Sequence, residues 1–197
     1  MKEVTPKDTR YIPFTQQNSC CVPTSISMIM YKHKIPLLPQ ELLGYHLGLT
    51  IAPKKRNLFW NPISGKRPPA GYGTQIDRTS YEINSVLHKL KIPLKVKVYP
   101  FGKFKTEGAL LSFIADDLKK DKDLIVVLSS DVLNGTRKRN GHACVIDRFY
   151  SKRNTVRLID PSSIQPKWRE IPIDKFIKAI KFHPAGKGRI LEFIKIS

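Results

Sequence analysis

No stretch of this chain is apolar over the roughly 20 residues that a membrane-spanning helix needs. The first residues, MKEVTPK, contain no apolar segment of the kind found in secretory signal peptides, so no cleaved export signal is predicted. Cysteine is scarce, and three residues are an odd number and too few for a disulfide framework. Cys20 and Cys21 are adjacent, and a disulfide between neighbours would be strained. These absences predict reduced thiols and a cytoplasmic protein.

Acidic residues are also scarce. The chain has 16 Asp and Glu against 35 Lys and Arg, which gives a formal net charge of +19 at pH 7. Such a field attracts polyanions, including nucleic acid, although the same charge is equally typical of a well-solvated surface. No zinc-finger spacing and no aromatic ribonucleoprotein motif accompanies it, so no familiar nucleic-acid module is indicated. Residues 42–76 contain no acidic residue, and we interpret them as a long basic loop or insertion.

The length of 197 residues and the 41% hydrophobic content suit one compact domain over 1–197. Apolar spacing predicts helices over residues 21–31, 39–47, 79–91, 106–120 and 174–181. Alternation and apolar runs predict strands over residues 11–14, 94–99, 124–128, 143–150, 155–160 and 190–196. Thr79 or Ser80 is the expected cap of the third helix, and residues 137–139 form a second basic loop. Helices first and an antiparallel sheet later predict an α+β fold.

Cys21 is the strongest candidate for a chemically active side chain. It lies in QQNSCCVPTS, residues 16–25, at the predicted start of the first helix. A helix N-terminus supplies partial positive charge and unpaired backbone donors, and both favour a thiolate. Cys20 competes for the role, and the register Cys-x-Pro-Thr-Ser favours Cys21.

His142 and Asp160 are the candidates for partners of Cys21. His142 opens one apolar strand and Asp160 closes the next, and a tight turn between the strands brings the two residues close together. His142 can take the thiol proton, and Asp160 can fix the tautomer of His142 and stabilise its imidazolium. Asp147 lies on the opposite face of the strand and is the weaker candidate, and we interpret Cys144 as a core residue.

Gln16 and Gln17 lie five and four residues ahead of Cys21. The side-chain amide of either residue can donate to the oxyanion that forms on attack at a carbonyl, with the backbone N–H of Cys21 as the second donor. The sequence leaves the choice between them open. No set of His, Cys and acidic side chains has the spacing of a structural zinc site, so neither a metal nor another cofactor is expected.

In this order the motifs resemble those of papain-like cysteine peptidases. Residues 21–28, CVPTSISM, resemble the nucleophile helix of the double-glycine (bacteriocin-leader) peptidase family, where Asp-Cys-Gly-Pro-Ala-Ser precedes an apolar helix. The pair at 141–142 and the Asp-Pro-Ser at 160–162 match the later part of that pattern. The resemblance implies a papain-like fold, with N-terminal helices packed on a C-terminal antiparallel sheet. It also implies a Cys21–His142–Asp160 triad that cleaves peptide bonds through an acyl-enzyme.

Residues 167–172, KWREIP, together with His142 and Asp160, are similar to phytochelatin synthase, which transfers γ-glutamylcysteine between glutathione-like peptides. Three functions therefore stay open. The leading one is a hydrolase of peptide or isopeptide bonds, and the second is an acyl transferase. The third is a basic nucleic-acid-binding module on an inactive peptidase-like fold, motivated by the basic loops and by Val22, which replaces the family's Gly. A peptide or protein substrate is predicted, and the oligomeric state is left open.

Overall fold

The computed structural model describes residues 6–136 and 140–196, so the predicted basic loop at 137–139 lies outside the described residues. The chain divides into two compact units. The sheet unit comprises Val96–Asp160 and Ile164–Ile194 with the chain up to Arg10, and the helical unit comprises Tyr11–Lys95, Pro161–Ser163 and Lys195–Ser197. The assignment of one domain to residues 1–197 stays a prediction.

A six-stranded antiparallel sheet is the frame of the sheet unit. Its strands are β1 (Leu94–Pro100), β2 (Asp123–Ser129), β3 (Gly141–Tyr150), β4 (Thr155–Ile159), β5 (Trp168–Pro172) and β6 (Arg189–Lys195). They lie in the order β1-β6-β2-β3-β4-β5. Every residue of β2 is buried, which explains why the strand predicted over 124–128 is a continuous apolar run rather than an alternating one.

Three helices belong to the sheet unit: α4 (Glu107–Lys119), α5 (Ser130–Asn134) and α6 (Ile173–Lys181). Apolar residues of α4 and α6 pack with β2, β3 and β4 in one buried cluster. The predictions of α4 and α6 are confirmed, and Thr106 caps α4 by accepting the N–H of Ala109 at 3.0 Å. α5 and β5 were not predicted, because five residues are too few to show a periodicity.

The helical unit contains α1 (Cys21–Lys32), α2 (Gln40–His46) and α3 (Ile83–Lys89). α1 is buried from Val22 to Met30, as expected of a helix with small or apolar residues on nearly every side. The predictions of α1 and α2 are confirmed within about two residues at each end. Among the described residues, no helix is both long and apolar enough to cross a bilayer.

Two local predictions are wrong. Residues 11–14 form no strand, since Pro13 has no N–H to donate to a ladder. The helix expected from residue 79 begins only at Ile83, after a short 3-10 turn over Thr79–Tyr81. Its cap is Glu82, whose carboxylate accepts the backbone N–H groups of Asn84 and Ser85, so neither Thr79 nor Ser80 has that role.

The basic loop over residues 42–76 is mostly irregular, as predicted, but it is tied together by backbone hydrogen bonds. The N–H of Ile51 donates to the carbonyl of Pro69 at 3.0 Å, and the N–H of Thr50 donates to the carbonyl of Gly73 at 2.8 Å. Phe59 is buried beneath the loop, whereas Trp60 is 61% exposed. The loop is therefore an ordered part of the helical unit, and the α+β class of the chain is confirmed.

Candidate active site

The two adjacent cysteines have different environments. Cys20 is fully buried in a cluster with Leu49, Ile51 and Phe59, whereas Cys21, the first residue of α1, is only partly buried. Burial raises the pKa of the Cys20 thiol well above its usual range. Cys20 is therefore an inert core thiol, and Cys21 is the member of the pair that solvent can reach.

A tight turn places Cys21 at the start of α1. Ser19 takes the left-handed conformation with φ of 61°, and the N–H of Cys20 donates to the carbonyl of Gln17 at 3.0 Å. Gln40, the first residue of α2, fixes this turn from outside. Its Oε1 accepts the N–H of Gln17 at 2.8 Å, and its Nε2 donates to the carbonyl of Thr15 at 2.9 Å. The first turn of α1 has no acidic residue, so no carboxylate of its own offsets the positive end of the helix.

Gln16 and Gln17 differ in how firmly the protein holds them. The side chain of Gln17 is exposed to solvent, whereas Gln16 is partly buried. The N–H of Gln16 donates to the carbonyl of Pro161 at 2.8 Å, and its Oε1 is buried without a hydrogen-bond partner among the described residues. The N–H group of a partly buried amide loses less hydration on binding a reacting group than that of an amide that water already solvates.

Val22 lies in the interior of the helical unit, where it is 5% exposed. Successive side chains of a helix point in directions about 100° apart, so Val22 turns inward while Cys21 stays partly exposed. The replacement of the family's Gly by Val22 therefore fills core space and does not crowd the approach to the thiol.

In the sheet unit, His142 and Asp160 are in direct contact. β3 and β4 pair antiparallel, with Val145 opposite Ile159, and His142 Nε2 lies 2.7 Å from Asp160 Oδ1. The side chain of Asp160 is 1% exposed and that of His142 is 11% exposed. An ionised carboxylate only accepts hydrogen bonds, so the proton of a neutral His142 resides on Nε2. Nδ1 then has the lone pair, and this nitrogen is the basic atom of the ring.

Arg169 is the third residue of a hydrogen-bonded group with His142 and Asp160, and the sequence did not identify it as a candidate. Its Nη1 donates to Asp160 Oδ2 at 2.8 Å, and its Nη2 donates to Asn134 Oδ1 at 2.9 Å and to the carbonyl of Leu133. The guanidinium is a permanent positive partner of the Asp160 carboxylate and holds it in place. The resemblance of KWREIP to phytochelatin synthase was the one signal for Arg169, but β5, which places it beside β4, was not predicted.

Comparison with known proteins identifies the family and the fold of this chain. The model of the Peptidase_C39 like family matches residues 9–188. The chain belongs to the C39-like peptidase family. Its fold is similar to the crystal structure of a protein from Bacillus anthracis described as a C39-like peptidase, with a TM-score of 0.57 and 15% identity over 94% of this chain and 96% of the other. A search of curated proteins gives no match. The papain-like fold implied by the sequence is confirmed.

Cys144 of this C39-like chain lies in contact with the same dyad. Its thiol is fully buried beside His142 and Asp160. Burial and, after it, the charge of Asp160 raise the pKa of Cys144 to about 11, although His142 and Arg169 act in the opposite direction. Cys144 therefore stays protonated at neutral pH, as a core residue should.

Ligand atoms of His142, Cys144 and Asp160 lie within 4.8 Å of one another, which is close enough to hold a metal ion. The arrangement of charges does not suit one, because both carboxylate oxygens of Asp160 are already hydrogen-bonded and one of them bonds the positive Arg169. A cation would have to displace that guanidinium. The donor set is better described as a hydrogen-bonded network.

The residue directly before His142 is Gly141, and steric crowding explains why it is a glycine. A Cβ atom at residue 141 would lie 2.5 Å from Nε2 of His183, closer than real contacts allow. The ring of His183 packs against the backbone at the start of β3, so only glycine fits there without a shift. His183, which had no role from sequence alone, therefore limits which residue can precede His142.

Asp147 lies within β3 but has different partners. It is fully buried, and it accepts Nε of Arg157 at 2.7 Å and the backbone N–H of Arg10 at 2.9 Å. Arg157 also reaches Asp8 at 2.9 Å. These contacts form a partly buried ion-pair network that holds residues 8–10 on the sheet.

Proposed function

We propose that this C39-like protein is a cysteine peptidase that cleaves peptide or isopeptide bonds through an acyl-enzyme on Cys21. His142 Nδ1 takes the proton of the Cys21 thiol, and the thiolate attacks the carbonyl carbon of the scissile bond. The C–N bond breaks as the imidazolium gives that proton to the leaving amine. Water then attacks the thioester with His142 as its base, the C–S bond breaks, and the proton returns to the Cys21 sulfur.

The observation that carries the proposal is the His142–Asp160–Arg169 chain of hydrogen bonds in a member of a peptidase family. The chain leaves His142 Nδ1 as the basic nitrogen and keeps the orienting carboxylate ionised and desolvated, where its charge acts most strongly. The proposed proton donor to His142 is the thiol of Cys21, which is partly buried at the positive N-terminal end of a 12-residue helix. The order Cys, His, Asp along the chain is also that of the papain-like motif.

Gln16 is the proposed side-chain donor to the oxyanion, in preference to Gln17. Its backbone is anchored to the carbonyl of Pro161, the residue that directly follows Asp160 in the chain. Its amide is partly buried, so it does not have to shed water or become ordered when the oxyanion forms. The backbone N–H of Cys21 is the proposed second donor.

Thiol alkylation tests the proposal without knowledge of the substrate. The native protein is treated with a low dose of iodoacetamide at pH 7, and the modified cysteines are mapped by mass spectrometry. We expect Cys21 to react at least about 100-fold faster than Cys20 and Cys144, since thiolates are the reactive form and the other two thiols are buried and protonated. Equal labelling of Cys21 and Cys144 in the folded protein would contradict the proposal.

A pair of histidine variants shows whether His142 is the base. His142→Ala is expected to slow the alkylation of Cys21 at pH 7 by at least about tenfold, because the thiol loses its proton acceptor. His88→Ala, at an exposed position of α3, is the matched control and should leave the rate unchanged. Analysis of cleavage products in the presence of glutathione then separates hydrolysis, which adds water to the acyl group, from transfer, which joins the acyl group to the glutathione amine.

A further inference from the structure

A cavity of about 500 Å³ lies in the helical unit, next to the segment that carries Cys21. Leu49 and Phe59 line it, and each is 4% exposed. These two residues belong to the same buried cluster as Cys20. The residue directly before the proposed nucleophile therefore packs against the floor of the cavity, and the volume is large enough for more than one side chain of a ligand.

α2 links the cavity to the nucleophile turn a second time. Glu41 lines the cavity, and its negative charge is among the causes that raise the pKa of Cys20, after burial. Gln40, its neighbour in α2, holds the backbone of Gln17 in the turn before Cys21. One short helix thus forms a wall of the cavity and fixes the segment that presents the thiol.

The rim of the cavity is cationic. Lys66, Arg67 and Arg78 line it and are exposed to solvent, and Glu41 is the one carboxylate that the described residues contribute to the lining. Arg67 is hydrogen-bonded to Asn57 and lies 5.9 Å from the centroid of the Trp60 ring. Cations above an apolar floor are complementary to a ligand that combines carboxylates with an apolar side chain.

The walls are ordered before any ligand arrives. The N–H of Asn61 donates to the carbonyl of Lys66 at 2.8 Å, and Asn61 Oδ1 accepts the N–H groups of Ile63 and Ser64, so the turn that presents Lys66 is closed. On the opposite side, Gly48 has φ of +68°, and a Cβ there would lie 2.5 Å from the ring of Tyr81. A preformed site loses less entropy on binding than a loop that has to fold around its ligand.

We propose that this cavity is a substrate subsite that selects an acidic peptide segment. Lys66, Arg67 and Arg78 bind its carboxylates, and the floor at Leu49 and Phe59 takes a neighbouring apolar side chain. The part that the cavity plays in cleavage rests on the proposed function of Cys21, whereas its preference for acidic peptides does not. A nucleic acid fits less well, because Glu41 lies in the wall and would repel a phosphate.

Peptide binding to the Cys21→Ala variant tests the subsite in the absence of turnover. The probes are N-acetylated, C-amidated hexapeptides of alternating Glu and Leu, and the matched set with Gln in place of Glu, measured by isothermal titration calorimetry at low salt. We expect the Glu peptides to bind at least about tenfold tighter than the Gln peptides. The triple variant Lys66→Gln, Arg67→Gln, Arg78→Gln should lose that preference. All three side chains are exposed, so the fold should be retained, and circular dichroism checks it.

A charge-matched triple variant separates the subsite from the general effect of the +19 net charge. Lys119→Gln, Lys120→Gln and Lys178→Gln remove three exposed cations from the sheet unit and should leave the preference for Glu peptides within about twofold of the unmodified chain. Equal binding of Glu and Gln peptides overturns the proposal, and so does an equal loss in the two triple variants. An oligonucleotide that displaces the Glu peptide from the cavity in a way that requires Lys66, Arg67 and Arg78 also overturns it.

The two proposals fail in different ways. If the chain with Cys21 intact cleaves no peptide while the Cys21→Ala variant binds Glu peptides through the three cations, the peptidase proposal fails and the acidic subsite stands. If peptides are cleaved with no preference for Glu, the subsite fails and the peptidase proposal stands.

Discussion

Arg169 donates from Nη1 to Oδ2 of Asp160 across 2.8 Å, while His142 occupies Oδ1 of the same carboxylate. The side chain of Asp160 is 1% exposed, so it is largely shielded from water. A buried carboxylate without a permanent positive partner tends to take up a proton. Arg169 prevents this, because a guanidinium stays charged at every pH at which proteins are folded.

Arg169 is therefore expected to act as a positioning residue for His142. Arg169→Gln should slow the alkylation of Cys21 at pH 6 by about 10- to 100-fold, since a small misplacement of the base has an effect of that size. The loss should be smaller at pH 9, where an ordinary thiol ionises without help. Arg169→Lys, which retains the charge, should recover part of the rate, and Arg153→Gln at an exposed position is the control. A loss that is equal at both pH values would indicate a merely structural role.

The two glutamines are expected to differ when a carbonyl is the target. Gln16→Ala should reduce peptide hydrolysis by about 100- to 1,000-fold, as the loss of one oxyanion donor does in other acyl-transfer enzymes. The same variant should leave iodoacetamide alkylation of Cys21 unchanged, because that reaction forms no oxyanion. Gln17→Ala, at an exposed side chain, should change neither rate. The reverse pattern would assign the oxyanion donor to Gln17.

Asp147 and Asp160 are both buried carboxylates of the sheet unit, but their replacement should have different effects. Asp147→Asn breaks a buried pair with Arg157 and is expected to lower the free energy of unfolding by about 3–5 kcal/mol. Below the midpoint of unfolding, its Cys21 should still be alkylated at the normal rate. Asp160→Asn should slow alkylation even where the protein is folded. Urea denaturation measures the stability of both variants, and alkylation rates measure the reactivity of Cys21 in each. Loss of Cys21 reactivity in folded Asp147→Asn would contradict the assignment of Asp147 to stability alone.

Glu192 is expected to make the stability of the sheet unit depend on pH. It accepts the hydroxyl of Tyr99 at 2.7 Å and Nζ of Lys122 at 2.5 Å. Burial raises its pKa, but the bonds from Lys122 and Tyr99 outweigh burial, so the pKa lies below its ordinary value. A lowered pKa in the folded state means that the stabilisation is complete above about pH 4.5 and is lost as the pH falls through the folded-state value.

The matched measurement is the free energy of unfolding of the unmodified chain and of Glu192→Gln between pH 7 and pH 3. The variant should be about 2 kcal/mol less stable at pH 7, the size of a hydrogen bond to a charged group. This difference should shrink as the pH falls below about 4.5. Glu107→Gln, at an exposed carboxylate, provides the control. A constant difference across the whole range would show that the ionisation of Glu192 contributes nothing.

Several features of this fold could be predicted because they depend on local patterns. The apolar spacing of α1, α4 and α6 and the apolar run of β2 are imposed by the burial of one face or of all sides. Other features depend on competition between neighbouring groups. Glu82 caps α3 because its longer side chain reaches two backbone N–H groups, and the nearby hydroxyls at residues 79 and 80 gave a misleading signal.

The candidate site could likewise be predicted only where it depends on local patterns. The hairpin of β3 and β4 brings His142 to Asp160 because consecutive strands with a short turn pair with each other, a local effect that the sequence predicts. Arg169 could not be assigned from the sequence, because β5 is short and polar and its pairing with β4 crosses an irregular segment. The binding of a polyanion through the net charge of +19 stays a prediction, and so does the cytoplasmic location.

By itself the sequence determined the order of most helices and strands, the candidate residues Cys21, His142 and Asp160, and the resemblance to the papain-like peptidases, since all of these follow from spacing and residue type. Only the tertiary structure decided which of two adjacent thiols is buried, which glutamine is held inside the protein, and which cation neutralises Asp160. The physical reason is that burial and hydrogen-bond geometry depend on neighbours that are distant in the chain. The cavity beside Cys20 likewise exists only because the basic loop folds back onto α2.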